Sequence, residues 1–447
     1  MEVDMVKINT LKRVACGALA FVLAVLLVKP TFARQIEIEE NTESMIMLDV
    51  ARRYYPVEEI KKYIDALSAH ENSTLQLHFT DDENVGIECD YLDQTVENAS
   101  YADGVYTNPV TNRPFLSYAQ VQDLMDYADE KNVRFVPEID IPAHMKGFFD
   151  LAETKFGSDY VHEWRVGIGW AGGDEVGHLD FLTEKGAAFW KSIYDEYTDF
   201  FSSREYFHMG FDEYTLRNDE KIDFANEVYE YLAEKGFKVR MWSDALTEAN
   251  LNRLNKNIEL IYWGWWDDVA IDGYASVPSL QEAGFKMLIT NRWYLFSVPS
   301  TANMTEENRA HSIRDIEENW ELEKWNYNFP STLENHDGIM GGAVCVWGEN
   351  SAGVSDAEIR EHTIAMYEAM FPKLDKIRRV IEIPDEEPEE EAATTEESVV
   401  EEESKNETKP EQSEEAENPD TSDLGLGTVS VLFVCLGTIS IAILRRR

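Results

Sequence analysis

Short runs rich in apolar and β-branched residues recur along the middle of the chain, each followed within a few positions by polar or aromatic residues. They are MIMLDVA from Met45, TLQLHFT from Thr74, VRFVPEID from Val133, EYFHMG from Glu205, KVRMWSD from Lys238, IELIYWG from Ile258, FKMLIT from Phe285 and GAVCVWG from Gly342, eight in all. Their length and punctuation predict strands. Several intervals between them repeat apolar residues at helical spacing instead, as in PVEEIKKYIDALSAH from Pro56 and SYAQVQDLMDYADEKN from Ser117. In the second, Val121, Leu124, Met125 and Ala128 fall on one face, and Ser117 is placed to cap the first turn. Strands alternating with helices imply parallel pairing through right-handed crossovers. Eight such units over 44–376 predict an α/β fold, a closed (β/α)8 TIM barrel forming a single catalytic domain. An open doubly wound sheet is the competing topology, but no glycine-rich phosphate loop follows the first strand.

The two ends have another character. Lys7, Lys12 and Arg13 precede an apolar run from Val14 to Val28, and the small-residue stretch TFA ends at Ala33, the layout of a secretory signal peptide over 1–33. From Leu424 to Leu444 no residue is charged, and these 21 residues, closed by Arg445 to Arg447, are long enough to span a bilayer. NPDTSD, Asn418 to Asp423, followed by that span and the basic tail, resembles a Gram-positive cell-wall sorting signal, with Asn418 where leucine and Ser422 where glycine is usual. That reading implies sortase processing and attachment to peptidoglycan; a plain membrane anchor over 424–447 is the alternative. Both place the body of the protein outside the cell, on the wall or membrane of a Gram-positive bacterium. Between body and anchor, 382–423 holds 19 acidic residues against Lys405 and Lys409, which predicts a disordered linker. This stretch carries 17 of the 46 net negative charges, a balance that argues against nucleic acid as a partner. Of the four cysteines only Cys89 and Cys345 lie in the mature body, where buried thiols are expected. No spacing suggests a metal site, and no cofactor is expected.

In a barrel the loops after the strands converge on one mouth, so the residues there deserve a joint reading. In order they are Arg52, Asp81 with Asp82, Asp140 with His144, Asp212 with Glu213, Trp242 with Asp244, Trp263 with Trp265 and Trp266, Tyr294, and Trp347 with Glu349. Carboxyl groups ringed by indoles suit carbohydrate chemistry: ring faces stack on sugar C–H surfaces and an acid protonates the glycosidic oxygen. Consecutive strand residues point to opposite faces, so Asp212 and Glu213 reach one site only if the backbone bends between them. Held together, each ionised neighbour raises the proton affinity of the other, which predicts one carboxyl protonated near neutral pH.

FHMGFDEYT, from Phe207, resembles the His-x-Gly-Gly-Asp-Glu motif of glycoside hydrolase family 20, the β-N-acetylhexosaminidases. LDVARRYYP from Leu48, LHFTDDEN from Leu77, PEIDIPAH from Pro137, MWSD from Met241 and VWGE from Val346 are similar to its other strand-end motifs, in family order. ENASYADGVYTNPVTNRPFLSY, from Glu97, is similar to a loop of the single-domain biofilm glycanases within the family. The resemblance implies retaining, substrate-assisted hydrolysis through an oxazolinium intermediate. It makes Glu213 the general acid and base, Asp212 the residue that orients the 2-acetamido group, and Tyr294 a donor to the acetamido oxygen. Trp242, Trp263 and Trp347 become pocket walls, and Arg52 and Glu349 bind hydroxyls. His144 and His208 support the acids at the substrate site, with Asp140 and Asp244 behind them. Phe211 stands where the motif has its second glycine, a departure that bears on how Asp212 approaches substrate. The expected substrate is β-linked N-acetylglucosamine, with the poly-β-1,6-linked biofilm polymer favoured and Asp267, Asp268 and Asp272 available to attract its deacetylated, cationic form. The alternatives are an exo-acting enzyme on chito-oligosaccharides or host glycans, and a surface adhesin that binds glycans without turnover.

Overall fold

The computed structural model describes residues 34–39, 42–166, 177–214, 220–264, 273–325, 333–374 and 378–383. The signal peptide over 1–33, the anchor over 424–447 and all but the first two residues of the acidic stretch lie outside these, as do Trp265, Trp266, Asp267, Asp268 and Asp272. No helix among the described residues is long and apolar enough to cross a membrane.

All eight predicted runs form strands: β1 (Glu43–Asp49), β2 (Ser73–His78), β3 (Arg134–Ile141), β4 (Tyr206–Gly210), β5 (Lys238–Trp242), β6 (Glu259–Tyr262), β7 (Met287–Ile289) and β8 (Ile339–Val346). Each pairs in parallel with the next, and β8 pairs in parallel with β1, so the sheet closes into a barrel rather than ending in open edges. Alternation along the strands sorts the core into two layers. Met45 and Met47 of β1 and Ala343 and Cys345 of β8 fill the barrel with Ile261 and Leu288. Ile46, Leu48, Val344 and Val346 face outward into the apolar layer beneath the helices. One end of the interior holds ions instead: Arg240 donates to both oxygens of Glu43 at 2.8 and 2.7 Å and to Glu259 at 3.0 Å. The fork geometry satisfies this otherwise costly buried charge.

The surrounding helices are α1 (Val57–Leu67), α2 (Tyr118–Glu130), α3 (Lys146–Phe156), α4 (Glu184–Phe200), α5 (Glu220–Glu234), α6 (Val277–Glu282), α7 (Glu306–Asn319) and α8 (Asp356–Leu374). In α2 the buried residues are Val121, Leu124, Met125 and Ala128, and Ser117 closes a capping box with Gln120. The repeat is not uniform. The β5–β6 connection carries two single 3₁₀ turns, Ser243–Ala245 and Leu251–Arg253, in place of an α-helix. Its sequence, SDALTEANLNRLNKN, has no apolar stripe wide enough to bury a helix, and Asn250 accepts from the Thr247 amide at 2.7 Å to hold a turn. The long β2–α2 loop folds into a small antiparallel sheet of Ser100–Ala102, Val105–Thr107 and Pro114–Phe115. Cys89 and Cys345 are free and buried.

Candidate active site

The chain turns sharply where β4 ends. Gly210, Phe211 and Glu213 have φ of 78°, 76° and 52°, so three of four consecutive residues leave the extended conformation. Gly210 has no alternative: a Cβ there would land on the Asp140 carboxylate and lie 2.7 Å from the Asp140 Cα. The Phe211 amide then donates to the Ile141 carbonyl at 3.0 Å and to Asp140 Oδ1 at 3.1 Å. This positive φ costs Phe211 about 1–2 kcal/mol. Its fully buried ring packs on Phe224 of α5, centroids 5.6 Å apart, and that burial contributes roughly 1.5–3 kcal/mol in return. The ring therefore faces the helices and leaves the pocket clear. The Glu213 amide donates to Asp244 Oδ2 at 2.7 Å, which fixes the second carboxylate after the bend.

Asp212 and Glu213 both line one pocket, with Arg52, His144, Trp242, Trp263, Arg292, Phe296, Val298, Trp347 and Glu349. Asp212 is buried, whereas the Glu213 side chain is 32% exposed, so one acid lies deep and the other at the mouth. Trp242 and Trp347 tilt together with centroids 5.6 Å apart, and Trp263 stacks on Phe296 at 6.0 Å. Indole nitrogens anchor two walls: Trp242 donates to Glu138 Oε1 at 2.7 Å and Trp263 to Asp244 Oδ1 at 2.9 Å. Arg52 lies over the Trp347 ring at 5.4 Å and is held by Asp49, Asp81 and Glu83 at 3.1, 2.6 and 3.1 Å. Asp49 also accepts from the Gly348 amide at 2.9 Å, tying the β1 and β8 loops together. Glu349 stands exposed at the rim.

Four residues to which the family resemblance gives a role do not line the pocket. Tyr294 is buried on the one-turn helix Arg292–Leu295, in the outer apolar layer, while its neighbours Arg292 and Phe296 face the pocket. His208 is wholly buried 3.2 Å from Glu138 and edge-on to Trp242 at 5.0 Å, a support beneath the wall rather than a substrate contact. Asp140 and Asp244 lie behind Asp212 and Glu213, as their contacts with the bend show. Sequence reasoning passed over Glu138, His78, Arg292, Phe296 and Val298. Glu138 carried a signal: a carboxylate inside an apolar strand, two residues before Asp140 and so on the same face.

The buried groups form a relay. His144 lies 3.5 Å from Glu213, 3.8 Å from Asp212, 3.3 Å from Asp82 and 3.5 Å from Asp81. Asp81 bonds His78 at 2.8 Å, and His78 lies 3.1 Å from Glu138. Burial pulls the His144 pKa down, but Asp81, Asp212, Asp82 and Glu213 outweigh it and hold the imidazole well above its usual range, as a cation. Burial and the charge of Asp212 push Asp140 well above the usual carboxylate range. Asp212 is itself raised, first by burial. Asp244 is pushed up to about 7 by burial and by Asp212. Glu213 behaves differently from the expectation of mutual raising: burial lifts it, but the hydrogen bond and charge of His144 bring it below its ordinary value. The spare protons thus sit on His144 and on the Asp140 side, one step from Asp212 and Glu213.

The catalytic-domain model of glycosyl hydrolase family 20 matches residues 45–221 and 216–371, and the chain belongs to this family. Among solved structures it is similar to dispersin B, 34% identical with a TM-score of 0.69 over 75% of this chain and 99% of that one. A Streptomyces coelicolor GH20 β-N-acetylhexosaminidase, 18% identical, shares the fold at a TM-score of 0.53 over 73% of this chain and 63% of that one. The chitooligosaccharidolytic β-N-acetylglucosaminidase of Bombyx mori is 26% identical over 227 residues, 49% of this chain and 35% of that protein. A lacto-N-biosidase of Bifidobacterium bifidum is 23% identical over 265 residues, 54% of this chain and 22% of that protein. The chain spans less than half the length of these two curated relatives.

Proposed function

We propose that this protein hydrolyses β-linked N-acetylglucosamine with retention, the substrate's own acetamido group acting as nucleophile. The observation that carries the reading is the placement of Asp212 and Glu213 in one tryptophan-walled pocket with His144 between them and the relay behind. The sugar ring stacks among Trp242, Trp263 and Trp347, and Arg52 and Glu349 take its hydroxyls. Burial raises both Asp140 and Asp212, and the charge of Asp212 raises Asp140 further, so the pair holds a proton; with that proton on Asp140, Asp212 is the anion that accepts from the acetamido N–H. That contact turns the acetamido oxygen toward the anomeric carbon and stabilises the positive charge of the oxazolinium ion. Bound sugar excludes water from Glu213 and raises its proton affinity, so the proton held 3.5 Å away on His144 passes to it. Glu213 gives this proton to the glycosidic oxygen as the bond to the leaving sugar breaks. As carboxylate it then takes a proton from the water that opens the oxazolinium ring.

The similarity to dispersin B and the folded β2–α2 loop support poly-β-1,6-N-acetylglucosamine as substrate. The leader-like 1–33 and the sorting-like NPDTSD before the apolar 424–447 support a protein secreted and held at the Gram-positive surface. Chito-oligosaccharides are the second candidate, supported by the Bombyx mori relative. Reducing-sugar release from both purified glycans decides between them: faster cleavage of the 1,6-linked polymer is expected, and indifference to it contradicts the assignment. Glu213→Gln separates hydrolase from adhesin. On an unactivated substrate kcat falls on the order of 10²–10⁴-fold with binding retained; wild-type binding with no turnover to lose makes the protein an adhesin.

A further inference from the structure

Behind the Trp242 wall lies a carboxylate that the reaction as described leaves unused. Glu138 of β3 is wholly buried, in register with His78 of β2 on one side and His208 of β4 on the other, so the three side chains share one face of the sheet. Its Oε2 accepts from Gln76 at 2.9 Å; its Oε1 accepts from the Trp242 indole at 2.7 Å and lies 3.1 Å from His78 Nδ1. A buried carboxylate is costly unless its charge is met. His78 meets it: with an Asp81 oxygen 2.8 Å from Nε2 and the Glu138 oxygen 3.1 Å from Nδ1, the ring answers both charges only as an imidazolium. Burial pulls the proton affinity of His78 down, but Glu138 and Asp81 outweigh it and hold the ring well above its usual range. Glu138 is thus a fixed anion with the Trp242 N–H on it.

The three indole walls are not held alike. Trp263 is bonded to Asp244 at 2.9 Å, whereas Trp347 Nε1 is buried without a hydrogen bond, and its ring is held by packing, on Trp242 at 5.6 Å and on Phe296 at 5.9 Å. The setting of Trp242 therefore bears on two walls. Its own setting comes from Glu138, because a bond at the single indole N–H stops the ring from turning about its Cβ–Cγ axis. We propose that Glu138 is a positioning residue that sets N-acyl selectivity: by holding Trp242, and through it Trp347, it keeps the pocket beside Asp212 closed to acyl groups larger than acetyl. This rests on the hydrolase reading above, in which these indoles surround the acetamido methyl group. With an apolar side chain at position 138 the Trp242 N–H has no acceptor, the ring turns to find one, and the acyl space widens.

The test compares two 4-nitrophenyl β-glucosaminides that share a leaving group and differ by one methylene, N-acetyl and N-propionyl. In the wild-type protein the ratio of kcat/KM, acetyl over propionyl, is expected on the order of 10–200, the range for one methylene in an apolar pocket. In Glu138→Leu this ratio falls about tenfold. Glu138→Gln keeps it even if both rates drop with the lost charge, since the new amide oxygen still accepts from Trp242 and its NH₂ donates to Gln76 Oε1, which makes no hydrogen bond in the native protein. Trp242→3-benzothienylalanine has sulfur in place of the N–H within the same ring outline and leaves Glu138 and His78 untouched; its ratio falls as in Glu138→Leu, and it decides the matter should that variant not fold. A ratio unmoved in the benzothienylalanine variant overturns the inference, and so does one lost equally in Glu138→Gln. Equal wild-type rates on the two compounds remove the selectivity and this inference alone, whereas no turnover of either removes the hydrolase reading.

Discussion

Gly210→Ala against Gly236→Ala isolates the contact on which the active-site bend depends. Both glycines have positive φ, 78° and 96°, so both substitutions carry a conformational cost of about 1–2 kcal/mol. At Gly236 a methyl group meets nothing within 4 Å, and the cost ends there. At Gly210 it meets the carboxylate and backbone of Asp140, neither of which is the free end of a flexible side chain. Relief requires Asp140 to withdraw and give up its 3.1 Å bond from the Phe211 amide; that amide keeps the Ile141 carbonyl, but the buried Asp140 oxygen loses its donor at a further cost of about 1–3 kcal/mol. Gly210→Ala is thus expected to lose about 2–5 kcal/mol, a large share of a typical domain's stability. Because Asp140 backs Asp212, a shift of the order of 1 Å also lowers kcat on the order of 10²-fold. Urea unfolding midpoints and kcat on a β-N-acetylglucosaminide measure the two effects, with Gly236→Ala expected to keep near-normal kcat. Equal midpoints and equal kcat in the two variants refute the reasoning.

Three further outcomes are expected. Phe211→Gly restores the family's usual residue, loses about 3–5 kcal/mol through lost burial plus the cavity left by the ring and regains about 1–2 kcal/mol of backbone strain, so its unfolding midpoint drops while kcat/KM stays within a few-fold; a large activity change places the ring's influence inside the pocket. His144→Asn removes the proton source and the charge that lowers Glu213: kcat falls on the order of 10²-fold or more, and the carboxyl limb of the pH profile moves to higher pH; an unshifted limb disproves the coupling. Asp244 has a folded pKa of about 7, above its unfolded value, so its stabilising contribution is full below about 4 and is lost as pH rises through 7. Asp244→Asn should therefore flatten the decline of the urea midpoint between pH 4 and 7, and an unchanged slope contradicts that assignment.

The barrel was readable because each strand is a short apolar run with its own terminator, and Met45 to Asp49 shows why: both faces of a barrel strand are buried, so the run is nearly continuous. The bend after Gly210 was inferable from two adjacent acids at a strand end, since both reach one pocket only through such a kink. What stayed hidden depends on contacts remote in sequence. The lowering of Glu213 comes from His144, 69 positions earlier, whose charge depends in turn on Asp81. Tyr294 and Arg292 illustrate another limit: on a one-turn helix, residues two apart face different ways, and no period reveals which one meets the pocket. The absence of an α-helix between β5 and β6 follows from the weak apolar pattern of SDALTEANLNRLNKN, which the eightfold strand repeat does not reveal.

The central claim is that Asp212 holds the acetamido group while Glu213 handles the proton. A crystal structure with an N-acetylglucosamine thiazoline, a stable mimic of the oxazolinium ion, tests it directly. The account predicts the thiazoline nitrogen within hydrogen-bond distance of Asp212, its methyl group among Trp242, Trp263 and Trp347, and Glu213 next to the anomeric carbon. A thiazoline bound with its ring turned away from Asp212, or held outside the pocket, contradicts it.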